Sequence, residues 1–285
     1  MSAAGGSGVR SAVSARDALD GARTAIAAGG SPSPRLDAEL LLADALGLPR
    51  ERLLTDSELA LRGDAVRRFQ SHVRRRSVQR EPIAYILGRR AFRRLELSVD
   101  RRVLVPRPET ELLVEIAGEL AQAASVLDCC TGSGAVALAI KDERGDLDVS
   151  GCDVSEDALE VARSNADRLA LAVRFQRSDL LDDIDDAFDA IVANPPYVPS
   201  AVLVGLEPEV SRHEPRLALD GGGDGLDVVR RLVGQAGRGR AKLLAIEHGE
   251  GQGEAVAALC EAAGFSDCER RHDLAGHERV VIARR

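Results

Sequence analysis

Between Ala193 and Ser200 the chain reads ANPPYVPS, directly after an apolar stretch, FDAIVA, with the composition of a buried strand. Pro195 and Pro196 have a fixed φ and no N–H, so the turn offers carbonyl oxygens and no backbone donors at those positions. Asn194 adds a side-chain carbonyl. Acceptors gathered without donors suit a substrate that brings an NH₂ group, and Tyr197 supplies a ring to pack over a planar one. Asn-Pro alone is a common strand-ending turn. The chemical reading therefore depends on what else reaches the same edge.

Upstream, SVLDCCTGSGAVALAI has the form of a strand, a glycine turn and a helix. Gly132 and Gly134 let the backbone fold closely around a ligand, and the helix start offers unpaired N–H groups. Cys130, Thr131 and Ser133 complete that loop. Such a turn serves nicotinamide dinucleotides, flavins and S-adenosylmethionine alike. Asp153 closes the next strand, in SGCDVS, where a carboxylate can accept both ribose hydroxyls of an adenosyl ligand; an ordinary helix cap is the alternative, and Ser155 can fill that role instead. The third strand ends in RFQRSDLL. Ligands of open α/β sheets bind outside the carboxyl ends of the strands, which puts Asp179 beside an adenine amino group and Leu180 against its face; an ordinary surface loop is the alternative.

Next to an electrophilic methyl donor the acceptor turn acquires a purpose. An amide or aniline-like nitrogen delocalises its lone pair and attacks poorly. Holding its two N–H bonds on Asn194 Oδ1 and the Pro195 carbonyl aims the lone pair at the methyl group and stabilises the charge that develops.

These residues need a scaffold that brings them to one edge. From Glu109 onward, helical and strand patterns alternate, which gives a doubly wound, mostly parallel α/β sheet. The last two strands, FSDCERRHD and HERVVIAR, have no helix between them, so the final one lies antiparallel. Residues 13–82 repeat apolar positions at helical spacing and form a small helical domain. Residues 83–105 alternate in IAYILG, RLELSV and RRVLVP and read as a β-hairpin linker. Residues 1–12, rich in Gly, Ser and Ala, read as a flexible N-terminus, and residues 106–285 as the domain that carries the chemistry. In PRPETE, Pro108 suits a first helical turn with Glu109 and Glu111 near the helix start; capping explains it, and it stays outside the candidate site. The glycine-rich stretch from Asp220 to Gly225 reads either as a hinge or as a tight connection into the next helix.

Composition narrows the classes. With 45% hydrophobic and 29% charged residues the chain is globular. At 2% aromatics and no Trp it lacks rings on which single-stranded nucleic acid could stack, and a net charge of -8 argues against a phosphate-binding surface over the whole protein. The charge is uneven: between Arg50 and Arg107 sixteen arginines face seven acids. That block reads as a partner surface or a solvated helical face. The five cysteines form no CxxC pair and no metal-ligand spacing with the five histidines, so reduced thiols and no metal are expected. No apolar run reaches the roughly 20 residues that span a bilayer. A cytoplasmic protein is the expectation, away from membranes and monomeric.

At this point a resemblance enters. The NPPY turn after the fourth strand is the signature of amino-group methyltransferases. EPIAYILGRRAF, VLVPRPETELLVE, HEPRLALDGGGDGLDVVRRL, IEHGEGQGEAV and the closing ERVVIARR resemble, in family order from about Arg35 to the C-terminus, the release-factor glutamine methyltransferases. The resemblance implies a class I methyltransferase (Rossmann-like) fold with a seven-stranded sheet. It also implies S-adenosylmethionine as cofactor and, as substrate, the glutamine of the Gly-Gly-Gln loop in class I peptide chain release factors, methylated on its amide nitrogen (N5). Carried over, the cofactor loop falls on Cys130, Thr131, Gly132, Ser133 and Gly134, the ribose carboxylate on Asp153, and the substrate clamp on Asn194, Pro195, Pro196 and Tyr197, Asn194 also bordering the cofactor. The family usually has Gly where Cys130 stands; a positive φ there costs Cys roughly 1 kcal/mol or more. Leu180 stands where relatives have an aromatic wall.

Two other readings use the same residues. An N6-adenine nucleic-acid methyltransferase would clamp a flipped base, yet the catalytic part is acidic, aromatic-poor and without a target-recognition insertion, so no direct nucleic-acid contact is expected. A noncatalytic adenosyl-binding module would not need the whole clamp.

Overall fold

Ser14 stands directly before the first apolar-periodic segment and caps it, its hydroxyl accepting from the Asp17 N–H at 3.1 Å. The computed structural model describes residues 13–56, 58–238 and 241–285; the stretch expected to be flexible, residues 1–12, lies outside them. After β1 (Val13–Ser14) come α1 (Ala15–Ala28) and α2 (Pro34–Leu46), the latter opening on a proline and ending at a left-handed Gly47. α3 (Arg52–Thr55), β2 (Ala60–Leu61, paired antiparallel with β1), α4 (Asp64–Ser77) and α5 (Ile83–Leu87) complete this unit. Ile26, Leu41, Leu42, Leu61 and Phe69 form its core, and the chain divides into compact units between Leu87 and Gly88.

Part of the arginine block is internal to this unit. Arg76 is buried, and its Nε donates to Asp37 Oδ2 at 2.7 Å while Ser31 Oγ bonds both partners. Arg75 grips Glu81 through two hydrogen bonds of 2.7 Å. A buried charge without its partner is strongly destabilising, so these two side chains tie the unit together.

IAYILG, expected as a strand, is helix α5. Pro82 starts it, its carbonyl accepting from Tyr85 and Ile86, and Ala84, Tyr85 and Ile86 are all buried. Five residues, little more than one turn, are too few to display a helical period. RRVLVP is likewise no strand; the hairpin consists of β3 (Arg89–Phe92) and β4 (Leu95–Ser98), in register from Arg89 opposite Ser98 to Phe92 opposite Leu95.

The second unit continues through α6 (Glu111–Gly118), β5 (Ser125–Cys129), α7 (Ala135–Glu143), β6 (Asp148–Asp153), α8 (Glu156–Leu169), β7 (Arg174–Arg177) and β8 (Phe188–Ala193). It ends with α9 (Pro208–His213), α10 (Asp227–Ala236), β9 (Ala241–Glu247), α11 (Gly253–Ala262), β10 (Asp267–His272) and β11 (Glu278–Arg284). Seven strands form one sheet in the order β10-β11-β9-β8-β5-β6-β7. β5, β6, β7, β8 and β9 pair in parallel; β11 runs antiparallel to both neighbours. The short turn between β10 and β11 forces that reversal, with Asp273 Oδ1 accepting from Ala275 and His277. Central strands are covered on both faces: Ile191 to Ala193, Leu244 to Ile246 and Val280 to Ala283 are fully buried. Strand order turns back at β5, with β6 on one side and β8 on the other. That switch point opens a crevice at the carboxyl ends of the strands. No described helix is long and apolar enough to cross a membrane.

Candidate active site

The turn after β5 is built on left-handed backbone: Cys130 has φ 63°, Gly132 54° and Gly134 80°. Cys130 therefore carries the strain foreseen for a non-glycine residue, about 1 kcal/mol. At Gly134 a Cβ would stand 3.1 Å from Leu138 and Phe175, a tight approach on top of the left-handed backbone that favours glycine there. Asp128, inside β5, pins the turn: Thr131 Oγ1 donates to its Oδ2 at 2.6 Å and the Ala137 N–H at 3.1 Å. Burial pushes its carboxyl up to about 7. Sequence reasoning passed over it, although an acid inside the apolar run SVLDCC was a signal.

Asp153 ends β6 with each carboxylate oxygen on a backbone N–H: Gly132 donates to Oδ2 and Ser155 to Oδ1, both at 2.9 Å. Burial raises its pKa and these N–H groups oppose the rise. Ser155 caps α8, its Oγ accepting from the Ala158 N–H at 3.2 Å. The cap is thus filled by Ser155, and Asp153 is left facing the glycine turn. A carboxylate has about four lone-pair sites, so capacity remains for ribose hydroxyls.

After β7, Leu180 is buried at φ 57°. Asp179 is exposed and its Oδ2 accepts from Arg231 of α10 at 2.8 Å.

At the end of β8, Asn194 Nδ2 donates to Thr110 Oγ1 at 3.0 Å. Thr110 belongs to PRPETE, which sequence reasoning set aside as a cap; Pro106, Arg107 and Thr110 all border the crevice. Tyr197 turns its hydroxyl to Glu247 Oε1 at 3.3 Å, at the end of β9. Arg107 Nη2 donates to the buried Glu214 at 2.6 Å.

The glycine-rich stretch is the tight connection of the two readings. Val198 and Ser200 donate to the carbonyls of Leu219 and Gly222, and Gly221 donates back to Val198. A Cβ on Gly221 would meet the Pro196 oxygen at 2.8 Å, and one on Gly225 the Tyr197 oxygen at 2.4 Å. Glycine is required because another backbone passes. Gly225, at φ +84°, combines that clash with a left-handed conformation. Gly225→Ala is expected to destabilise the fold by about 2–4 kcal/mol, read as a lower denaturation midpoint in urea.

These strand ends enclose a cleft of about 290 Å³, near the lower end of the ~300–1,000 Å³ typical of ligand pockets. Cys130, Thr131, Gly132, Ser133 and Asp153 border it, as do Asp179, Leu180, Asn194 and Pro196. Gly134, Pro195 and Tyr197 do not border it.

An adenosyl group fits this cleft, in which the Asp153 carboxylate keeps acceptor capacity beyond its two backbone bonds and Asn194 and Pro196 also line the wall. Fold and site define a class I methyltransferase that uses S-adenosylmethionine. Residues 17–88 match the PrmC N-terminal domain and residues 108–205 the methyltransferase small domain. Relatives named release factor glutamine methyltransferase extend over nearly the whole chain. The one from Moorella thermoacetica is 43% identical over 95% of this chain and 98% of its own, and the one from Caulobacter vibrioides 41% over 89% and 90%. The chain belongs to the release factor glutamine methyltransferase family. Among solved structures the fold is similar to a methyltransferase from Pyrococcus furiosus, with TM-score 0.52 and 18% identity over 68% of this chain and 90% of that one. It is also similar to a T. thermophilus 16S rRNA methyltransferase in complex with AdoMet and guanosine, with TM-score 0.51 and 17% identity over 69% and 49%.

Proposed function

We propose that this protein methylates the side-chain amide nitrogen (N5) of the glutamine in the Gly-Gly-Gln loop of class I peptide chain release factors, acting in translation termination. The observation that carries the reading is the state of Asn194: its Nδ2 is engaged by Thr110 at 3.0 Å, which leaves Oδ1 as the end available to the cleft. S-adenosylmethionine, when bound, supplies a methyl carbon made electrophilic by a sulfonium. The Asp153 carboxylate holds the ribose, and Asp179 and Leu180 border the adenine. Asn194 Oδ1 and the Pro195 carbonyl accept the two amide N–H bonds, so that the nitrogen lone pair faces the methyl group. The ring of Tyr197 backs the carboxamide plane. As the N–C bond forms, the C–S bond breaks, the electron pair stays on sulfur, and the nitrogen then loses one proton to water. The helical unit docks the release factor, and the enzyme works as a monomer.

Radiolabelled S-adenosylmethionine incubated with the protein and either a class I release factor or duplex DNA tests this reading. Label on the factor, abolished when its Gly-Gly-Gln glutamine is changed to alanine, is expected. Label on the DNA with none on the factor contradicts it.

A further inference from the structure

α10 reaches the cofactor cleft with one face. Val228 and Arg231 border it, and Gln235 stands one helical turn beyond Arg231, on the same side of the helix. Arg231 Nη2 donates to Asp179 Oδ2 at 2.8 Å and lies 3.8 Å from Asp182 Oδ2. Gln235 takes the other end of the same loop: its Oε1 accepts from the Leu181 N–H at 2.9 Å and its Nε2 donates to Asp182 Oδ1 at 2.8 Å. The loop is closed on itself by the Asp182 N–H on the Asp179 carbonyl at 3.2 Å, and joined to the end of β6 by the Ser178 N–H on the Asp153 carbonyl at 3.0 Å. Its backbone is thus anchored on two sides, and Arg231 holds the one carboxylate of the loop that borders the cleft.

We infer that Arg231 is a positioning residue that sets the base specificity of the cofactor site, favouring a 6-aminopurine over a 6-oxopurine. The inference rests on the reading of Asp179 as acceptor for the adenine amino group. The Arg231 and Asp179 side chains are each 49% exposed, and an ion pair so open to water contributes little to stability. What it supplies is direction. A carboxylate left to itself at such a site turns freely and can face water with both oxygens. With Oδ2 taken by Arg231, its plane is held and Oδ1 is left as an acceptor at the wall of the cleft.

An ionised carboxylate has no proton to give. Adenine brings an amino donor to Oδ1, whereas hypoxanthine brings an oxo group there, and acceptor meets acceptor with neither satisfied. Rejection of the oxo base requires the carboxylate to be held, because a free one swings away from it at little cost. Leu180 cannot make the distinction: an apolar side chain covers either base equally. Discrimination at this end of the cleft therefore falls to Asp179 and, through it, to Arg231.

Calorimetric titration of the full-length protein with S-adenosylhomocysteine and with S-inosylhomocysteine, which differ at the base edge, tests this without a methyl acceptor. The wild type is expected to bind the adenosyl compound about tenfold or more tightly, the size of one hydrogen bond to a charged group. Arg231→Ala is expected to reduce that ratio to about threefold or less while leaving the urea midpoint near the wild-type value, as loss of an exposed ion pair should. Arg231→Lys keeps a donor for Asp179 and should retain more of the preference; Asp179→Ala should abolish it. A merely structural role for Arg231 weakens both ligands alike and leaves the ratio unchanged, which overturns the proposal. A ratio lost in Asp179→Ala but intact in Arg231→Ala does the same and keeps Asp179 beside the base. A wild type that binds the two compounds equally takes the base away from Asp179 and overturns both readings. None of these outcomes depends on which molecule accepts the methyl group.

Discussion

Asn194→Ala is expected to lower kcat by ~10² or more while leaving the Kd for S-adenosylmethionine close to the wild-type value. Loss of one preorganised polar partner to developing charge typically has an effect of this size, and here it also removes the group that fixes the amide plane. Cofactor affinity persists because the glycine turn and Asp153 hold each other through backbone bonds that do not involve Asn194. Asn194 also bonds Thr110, so a urea denaturation curve should accompany the kinetics to separate turnover from folding. Single-turnover methylation with saturating cofactor reads the chemical step. An unchanged rate removes Asn194 from the clamp.

Asp153→Ala is expected to act on the other substrate, raising the cofactor Kd by about 10²-fold or more. Hydrogen bonds to a charged group contribute about 1.5–3 kcal/mol each, and two ribose hydroxyls are lost at once. The change also strips the Gly132 and Ser155 N–H groups of their acceptor, loosening the turn that approaches the ligand. Asp153→Asn, which keeps one acceptor oxygen and no charge, should fall between. Calorimetric titration with S-adenosylmethionine checks the order, and equal affinities for all three proteins would take the ribose away from this carboxylate.

What could be read in advance followed from how local each signal is. FDAIVA was expected as a strand and forms β8 over the same residues, because an apolar run bounded by an Asn-Pro turn carries its own boundaries. Asp153 was expected at the carboxyl end of its strand and borders the crevice there, because the end of a parallel strand is fixed by its own apolar run. Thr110 gave no signal: it meets Asn194 from 84 residues away, and only the sheet topology brings PRPETE to the crevice. IAYILG misled because a helix of five residues, little more than one turn, is too short to show the period of a helix. The glycines after Asp220 were ambiguous because the backbone they accommodate belongs to another segment.

The most direct test is a crystal structure with S-adenosylhomocysteine and a peptide carrying Gly-Gly-Gln. The carboxamide nitrogen should lie within about 3 Å of both Asn194 Oδ1 and the Pro195 carbonyl oxygen, with its remaining face toward the cofactor sulfur. A carboxamide that meets Asn194 Nδ2 or only water, or that presents its oxygen to the sulfur, contradicts the account.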